Sequence, residues 1–299
     1  MFVIRLRTLI CAVLIGVISV TAAAFAVVWI CDSANAPGFV MPADTKAAVE
    51  LPILMYHSLT DKSSKINTYT VSVNDFEADL KFIKEHGYTT VLLSEVIDYV
   101  DGKANLPEKP IVLTFDDGFR NNLVFGLPLL EKYDMKAVIS VVGSYCEMYA
   151  DCDDKNPDYS YLDWEDINTL KESGRVEIDN HTYNMHMLPG EKENKDARKG
   201  ASQKINESSE VYKSKLIEDA EKVQHLLSEN CGISPQVFTY PYGELCKTSE
   251  AALKEIGFRA TLSCMEKMNY ISVGNNDCLY CMCRFLRSNK KSAAAILKH

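Results

Sequence analysis

Four side chains in this sequence have the types and spacing to hold a divalent cation with a free base beside it: Asp116, Asp117, His181 and His186. Neighbouring carboxylates on an extended chain point to opposite sides. Bringing both to one pocket is costly unless a cation is present. One aspartate can then ligate a metal while its neighbour stays unbound as a proton acceptor, and Gly118 lets the backbone turn sharply after them. His181 and His186 are five residues apart, about 140° around a helix and too far to share an ion, so the pair requires a loop. On a loop, Asp117, His181 and His186 form a two-histidine, one-carboxylate set with positions left for water and substrate. The bland alternative for Asp116-Asp117-Gly118 is a solvated turn, which the apolar run in front of it argues against. His86 and His225 fall in helical stretches and read as surface residues.

The elements around these residues alternate strand with helix, the pattern of an α/β domain. Apolar runs predict strands over 91–93, 111–115, 137–142, 176–178, 237–240 and 259–262. Helical spacing predicts helices over 75–86 (capped by Asp75), 95–100, 123–133, 164–172 (capped by Asp163), 211–228 and 249–256. The polar stretch 190–210 reads as a loop or flap. Three of the strands run directly into polar residues: Asp116-Asp117-Gly118, Asp179-Asn180-His181 and Pro241-Tyr242-Gly243. In a barrel of parallel strands, the C-terminal face gathers such ends around one pocket.

Residues 8–30 contain no charge, enough to cross a bilayer as a helix, with Arg5 and Arg7 before them and Asp32 after. This predicts a cytoplasmic stretch 1–7, a signal-anchor helix 8–30, a spacer 31–50 and an extracytoplasmic domain 51–299, attached to the cell membrane. A cleaved signal peptide, giving a secreted protein, is the rival reading. The formal net charge of -9 argues against nucleic acid as a partner, and no protein partner is implied. Of ten cysteines, Cys146 and Cys152 are a candidate local disulfide. Cys278, Cys281 and Cys283 only loosely resemble a metal knuckle, lacking a second cluster.

Together these residues resemble the polysaccharide deacetylase family, carbohydrate esterase family 4 with its NodB homology domain. Thr114-Phe115-Asp116-Asp117-Gly118 is similar to the first family motif and Asn180-His181-Thr182-Tyr183-Asn184-Met185-His186 to the second. Tyr240-Pro241-Tyr242-Gly243 resembles the third, but the family's usual arginine before that proline is absent, which leaves open what orients the base. Leu54-Met55-Tyr56-His57 resembles the opening of a permuted subgroup that includes poly-N-acetylglucosamine deacetylases. The resemblance spans approximately residues 50–290. It implies a distorted, incomplete (β/α) barrel with fewer than eight βα units, following the membrane helix.

It also implies roles. One divalent ion, zinc first but cobalt, nickel, iron or manganese by the same donors, sits on Asp117, His181 and His186. Asp116 is the general base, His57 the general acid, and the Tyr242 backbone N–H holds the oxyanion. His299 in Leu297-Lys298-His299 is a rival acid, disfavoured because terminal residues are usually poorly ordered. The expected reaction is removal of N-acetyl groups from an envelope or extracellular N-acetylglucosamine polysaccharide. The alternatives are an O-acetyl glycan esterase on the same fold and a surface-anchored glycan-binding protein with a degenerate site. Tyr183, Tyr242 and Trp164 are either sugar-stacking or core aromatics. Peptidoglycan, poly-N-acetylglucosamine and chitin-like oligomers all remain open as substrates.

Overall fold

The central strands are buried on both faces, and successive residues send their side chains to opposite sides. The structure, a computed structural model, describes residues 48–191 and 198–298. Its strands are β1 (Val49–Leu51), β2 (Ile53–Tyr56), β3 (Ser58–Thr60), β4 (Thr70–Ser72), β5 (Thr89–Thr90), β6 (Pro110–Phe115), β7 (Ala137–Val141), β8 (Val176–Asn180), β9 (Val237–Thr239), β10 (Ala260–Leu262), β11 (Asn269–Ile271) and β12 (Phe285–Leu286). The helices are α1 (Val73–Glu85), α2 (Leu93–Val100), α3 (Leu127–Tyr133), α4 (Gly143–Ala150), α5 (Trp164–Glu172), α6 (Ser209–Cys231), α7 (Lys247–Glu255) and α8 (Ala293–Leu297).

The main sheet runs β10-β9-β8-β7-β6-β2-β12, with β5 added against the start of β6, and its ladders are all parallel. A parallel bridge from Leu262 to Met282 brings the β10 edge to the segment leading into β12. The sheet therefore curls towards closure without a full ladder at the seam, which fits the expected incomplete barrel.

Residues Leu54, Tyr56, Ile111, Leu113, Phe115, Ile139, Val141 and Ile178 pack outward into a core shared with helices α1, α3, α5 and α6. The alternate residues point inward. Ile53, Val112 and Val138 join an apolar cluster with α2 at one end. Further along β6, β7, β8 and β9, Thr114, Ser140, Asp179 and Thr239 are also buried, and Ser140 Oγ and Thr239 Oγ1 hydrogen bond at 2.7 Å. The barrel interior thus turns polar toward the strands' C-terminal ends, where the candidate chemistry lies.

Several sequence expectations need correction. Helix α1 starts earlier than expected and is capped by Ser72, whose Oγ accepts from Asp75 N at 3.0 Å. The short strand expected at 91–93 lies at Thr89–Thr90, and Leu93 already begins α2. The helix expected over 123–133 opens as a π-helical turn, Asn122–Gly126. Cys146 and Cys152 do not pair: Cys146 is buried on α4 while Cys152 lies past its end, and all eight cysteines among the described residues are free thiols. No helix among the described residues is long and apolar enough to cross a membrane. The expected span 8–30 lies outside the described residues, as do most of the spacer and His299.

Candidate active site

The first candidate residues leave the end of β6. Asp116 lies just past the last strand residue, and Asp117 takes a left-handed backbone (φ 73°), a conformation that costs a non-glycine residue energy. That turn sends the two carboxylates to different partners. Gly118 is also left-handed, and a side chain there would come within 3.0 Å of Val141 Cγ1, so the glycine is needed on both counts.

His181 and His186 flank a loop that leaves β8, with Thr182 left-handed at φ 74°. Asn180 Nδ2 donates to Ala220 O at 2.9 Å, and Asn180 Oδ1 accepts from Thr182 N at 2.9 Å. The loop brings both imidazoles to one carboxylate. His181 Nε2 lies 3.4 Å, and His186 Nε2 3.0 Å, from Asp117 Oδ1. Neither approach has hydrogen-bonding geometry, so this buried oxygen has no hydrogen-bond partner. His181 Nδ1 lies 2.8 Å from Thr239 O, so a neutral ring donates from Nδ1 and turns the Nε2 lone pair inward. One ligand atom from each residue lies within 4.8 Å of the others. Converging lone pairs around an unpartnered buried oxygen are what a divalent cation satisfies. Burial pushes the Asp117 carboxyl up, but the facing imidazoles outweigh it and hold the group well below its usual range. Among the described residues this is the one group of three or more histidine, cysteine or carboxylate side chains that converges in this way.

Asp116 is held differently. Arg284, fully buried, donates Nη1 to Asp116 Oδ1 at 2.6 Å and Nη2 to Oδ2 at 2.8 Å. Its Nη1 also reaches Thr114 Oγ1 at 3.2 Å and its Nε donates to Ser263 O at 2.9 Å. Burial raises the Asp116 carboxyl, yet the guanidinium beside it prevails and keeps it below the ordinary carboxylate value.

His57 follows β2 directly. Its Nδ1 is buried without a hydrogen-bond partner, and its ring stands 4.9 Å from that of Tyr69. Burial lowers its proton affinity, while the nearby Asp116 and Asp117 charges oppose the shift. Asn122 Nδ2 holds His57 O at 2.9 Å and Asn121 Oδ1 accepts from Leu59 N at 2.9 Å, which ties the first motif to the His57 loop.

A family model described as polysaccharide deacetylase matches residues 103–261. The chain belongs to the polysaccharide deacetylase family. The Escherichia coli (strain K12) protein named poly-beta-1,6-N-acetyl-D-glucosamine N-deacetylase is 26% identical over 251 residues, covering 76% of this chain and 37% of that protein. The chain therefore matches well under two thirds of that relative's length. The protein of the same name from Staphylococcus epidermidis is 24% identical over 216 residues, covering 72% of this chain and 68% of the other. Among solved structures, a de-N-acetylase from Aggregatibacter actinomycetemcomitans superimposes with a TM-score of 0.70 at 25% identity, covering 83% of this chain and 99% of that one.

Within this family, the arginine missing before Pro241 has a counterpart in space. Arg284 supplies a buried guanidinium to Asp116 from a position 168 residues further along the chain, a partner that no local motif pointed to. Tyr242 sits at the mouth with a left-handed backbone (φ 58°). Its hydroxyl is 3.5 Å from His186 Nδ1 and the two rings are 4.8 Å apart. Trp164 and Tyr183 instead pack against the outer core. Unanticipated aromatics complete the rim: Tyr145 lies 4.3 Å from Tyr161 and 6.3 Å from His186 by ring centres. His86 and His225 are exposed, as expected. The cysteine trio forms no metal cluster, and Cys281 Sγ instead donates to Glu250 Oε2 at 2.9 Å.

Proposed function

We propose that this chain removes N-acetyl groups from an extracytoplasmic polysaccharide containing N-acetylglucosamine, with poly-β-1,6-N-acetylglucosamine the first substrate to test. The observation that carries the reading is the meeting of Asp117, His181 and His186 beside a separately anchored Asp116. The relatives named above support the amide rather than the ester reaction. When bound, a divalent ion, zinc first, supplies Lewis acidity and a lowered pKa for water. Asp117, His181 and His186 would hold it.

Asp116, fixed by the Arg284 fork, is oriented to take the proton from water as general base. His57 releases a proton to the departing sugar amine, and its burial favours that release. Tyr242, whose ring lies beside His186, is assigned the oxyanion role through its backbone N–H. The uncharged run 8–30 behind Arg5 and Arg7 supports a membrane anchor, with the domain from residue 51 on the outer side.

Acetate release from defined oligomers of β-1,6-N-acetylglucosamine by the full-length chain tests the reading. Release should stop with chelator and return with zinc. Turnover that persists undiminished in excess chelator refutes it.

A further inference from the structure

The two histidines lie on a loop that must keep a set separation, and the loop is held from both sides. Its carbonyls are taken by the start of α4: Gly143 N donates to Thr182 O at 3.0 Å and Ser144 N to Tyr183 O at 3.0 Å. Its N–H groups go to a single carboxylate on α6. Tyr183 N donates to Asp219 Oδ1 at 2.7 Å and Asn184 N to Asp219 Oδ2 at 2.9 Å. Both oxygens of Asp219 thus hold the middle of the stretch between His181 and His186. Resting on the metal site proposed above, we propose that Asp219 is a positioning residue that sets the separation of His181 and His186 and so tunes metal affinity.

Three features make the contact more than a generic tie. The loop carries a β-branched residue, Thr182, in the left-handed region, a conformation that persists only where surroundings over-determine it. The residue after Asp219, Ala220, accepts from Asn180, so one turn of α6 grips the chain on both sides of His181. The fit around Tyr183 is close as well: a side chain at Gly143 would lie 3.1 Å from Tyr183 Cδ2. Burial pushes the Asp219 carboxyl up to about 6, against the pull of the two amides. Both of its oxygens accept, the arrangement a carboxylate offers to two donors.

Outer groups that orient metal ligands typically contribute ~10–100-fold to affinity. Zinc affinity of the full chain, measured by competition with a chromophoric chelator, should fall by about that factor in Asp219→Ala and by less in Asp219→Asn, which keeps one acceptor oxygen. In the metal-free protein, amide exchange at Tyr183 and Asn184 should accelerate in the same order. A role confined to stability would lower Tm without this graded loss in the folded protein. Wild-type zinc affinity in Asp219→Ala, or in Asp219→Asn should the alanine variant not fold, together with faster exchange at the two amides, overturns the proposal. So does unchanged exchange at both amides. Zinc that fails to bind the unaltered chain removes the metal site itself and the role of Asp219 with it, an outcome separable from the others because no variant is involved.

Discussion

At the scale of single residues, the site is two arrangements of carboxylate sharing one pocket. Asp117 faces imidazole nitrogens and Asp116 faces a guanidinium fork, so adjacent residues of one type meet opposite surroundings. Asp116, Asp117, His181 and His186 were legible because each motif is continuous and ends a strand. Arg284 was not, because its partnership joins distant segments and depends on the sheet curling back on itself. Arg284→Lys keeps the charge but loses the two-pronged geometry. It should fold and show a kcat lower by about 10²-fold with KM little changed, since a misplaced catalytic group costs about that much. Arg284→Ala, which leaves Asp116 buried and uncompensated, should also lose ~3–5 kcal/mol of stability. Steady-state kinetics on the lysine variant decide the matter, and an unaltered kcat would remove Arg284 from the orientation of Asp116.

At the scale of elements, the alternation of strand with helix and the polar strand ends were readable, but the local backbone devices were not. Asp117, Thr182 and Tyr242 each adopt a left-handed conformation, one in each of the three loops that build the site. None is glycine, so residue type did not mark these three positions, although Gly118 marked the turn that follows Asp117. The burial pattern of β8 hides a further feature. Asp179 is almost fully buried, and its Oδ2 lacks a hydrogen-bond partner. Glu177, two residues earlier on the same inward face, accepts from Ser94 N at 3.0 Å and Ser94 Oγ at 2.5 Å. Burial first, and the Glu177 charge second, raise the Asp179 carboxyl well above its ordinary value. The folded chain then binds this proton more tightly than the unfolded chain. The resulting stabilisation is complete below the ordinary carboxylate pKa and is lost as pH rises through the raised one. Thermal unfolding should therefore show Tm falling toward alkaline pH. Asp179→Asn, which cannot ionise, should flatten that slope and exceed the unaltered protein by a few degrees at the alkaline end. An identical slope in both would mean that Asp179 is not the group responsible.

At the scale of the whole molecule, the site depends on the two ends of the domain meeting. Strand β2 delivers His57, β12 follows Arg284, and the two pair in parallel through Leu54–Phe285 and Met55–Leu286. A second buried ion pair fastens them to α1. Asp79 Oδ2 accepts from Tyr56 Oη at 3.1 Å and from Arg287 Nε at 2.5 Å, and its Oδ1 accepts from Ala293 N at 2.9 Å. Both charged partners have side chains only 3% exposed, so removing one leaves the other uncompensated in the interior. Tyr56 precedes the proposed acid and Arg287 follows the arginine on the proposed base by three residues. Loss of Asp79 should thus loosen catalysis as well as the fold, although it touches neither metal ligand nor substrate. Asp79→Ala should cost ~3–5 kcal/mol in urea unfolding, and at temperatures where the variant remains folded its kcat should fall while zinc affinity holds. Asp79→Asn retains an acceptor but not the charge, and should cost less. If Asp79→Ala unfolds within about 1 kcal/mol of the unaltered protein, a spread typical of exposed pairs, then the barrel seam and not this ion pair joins the ends of the domain.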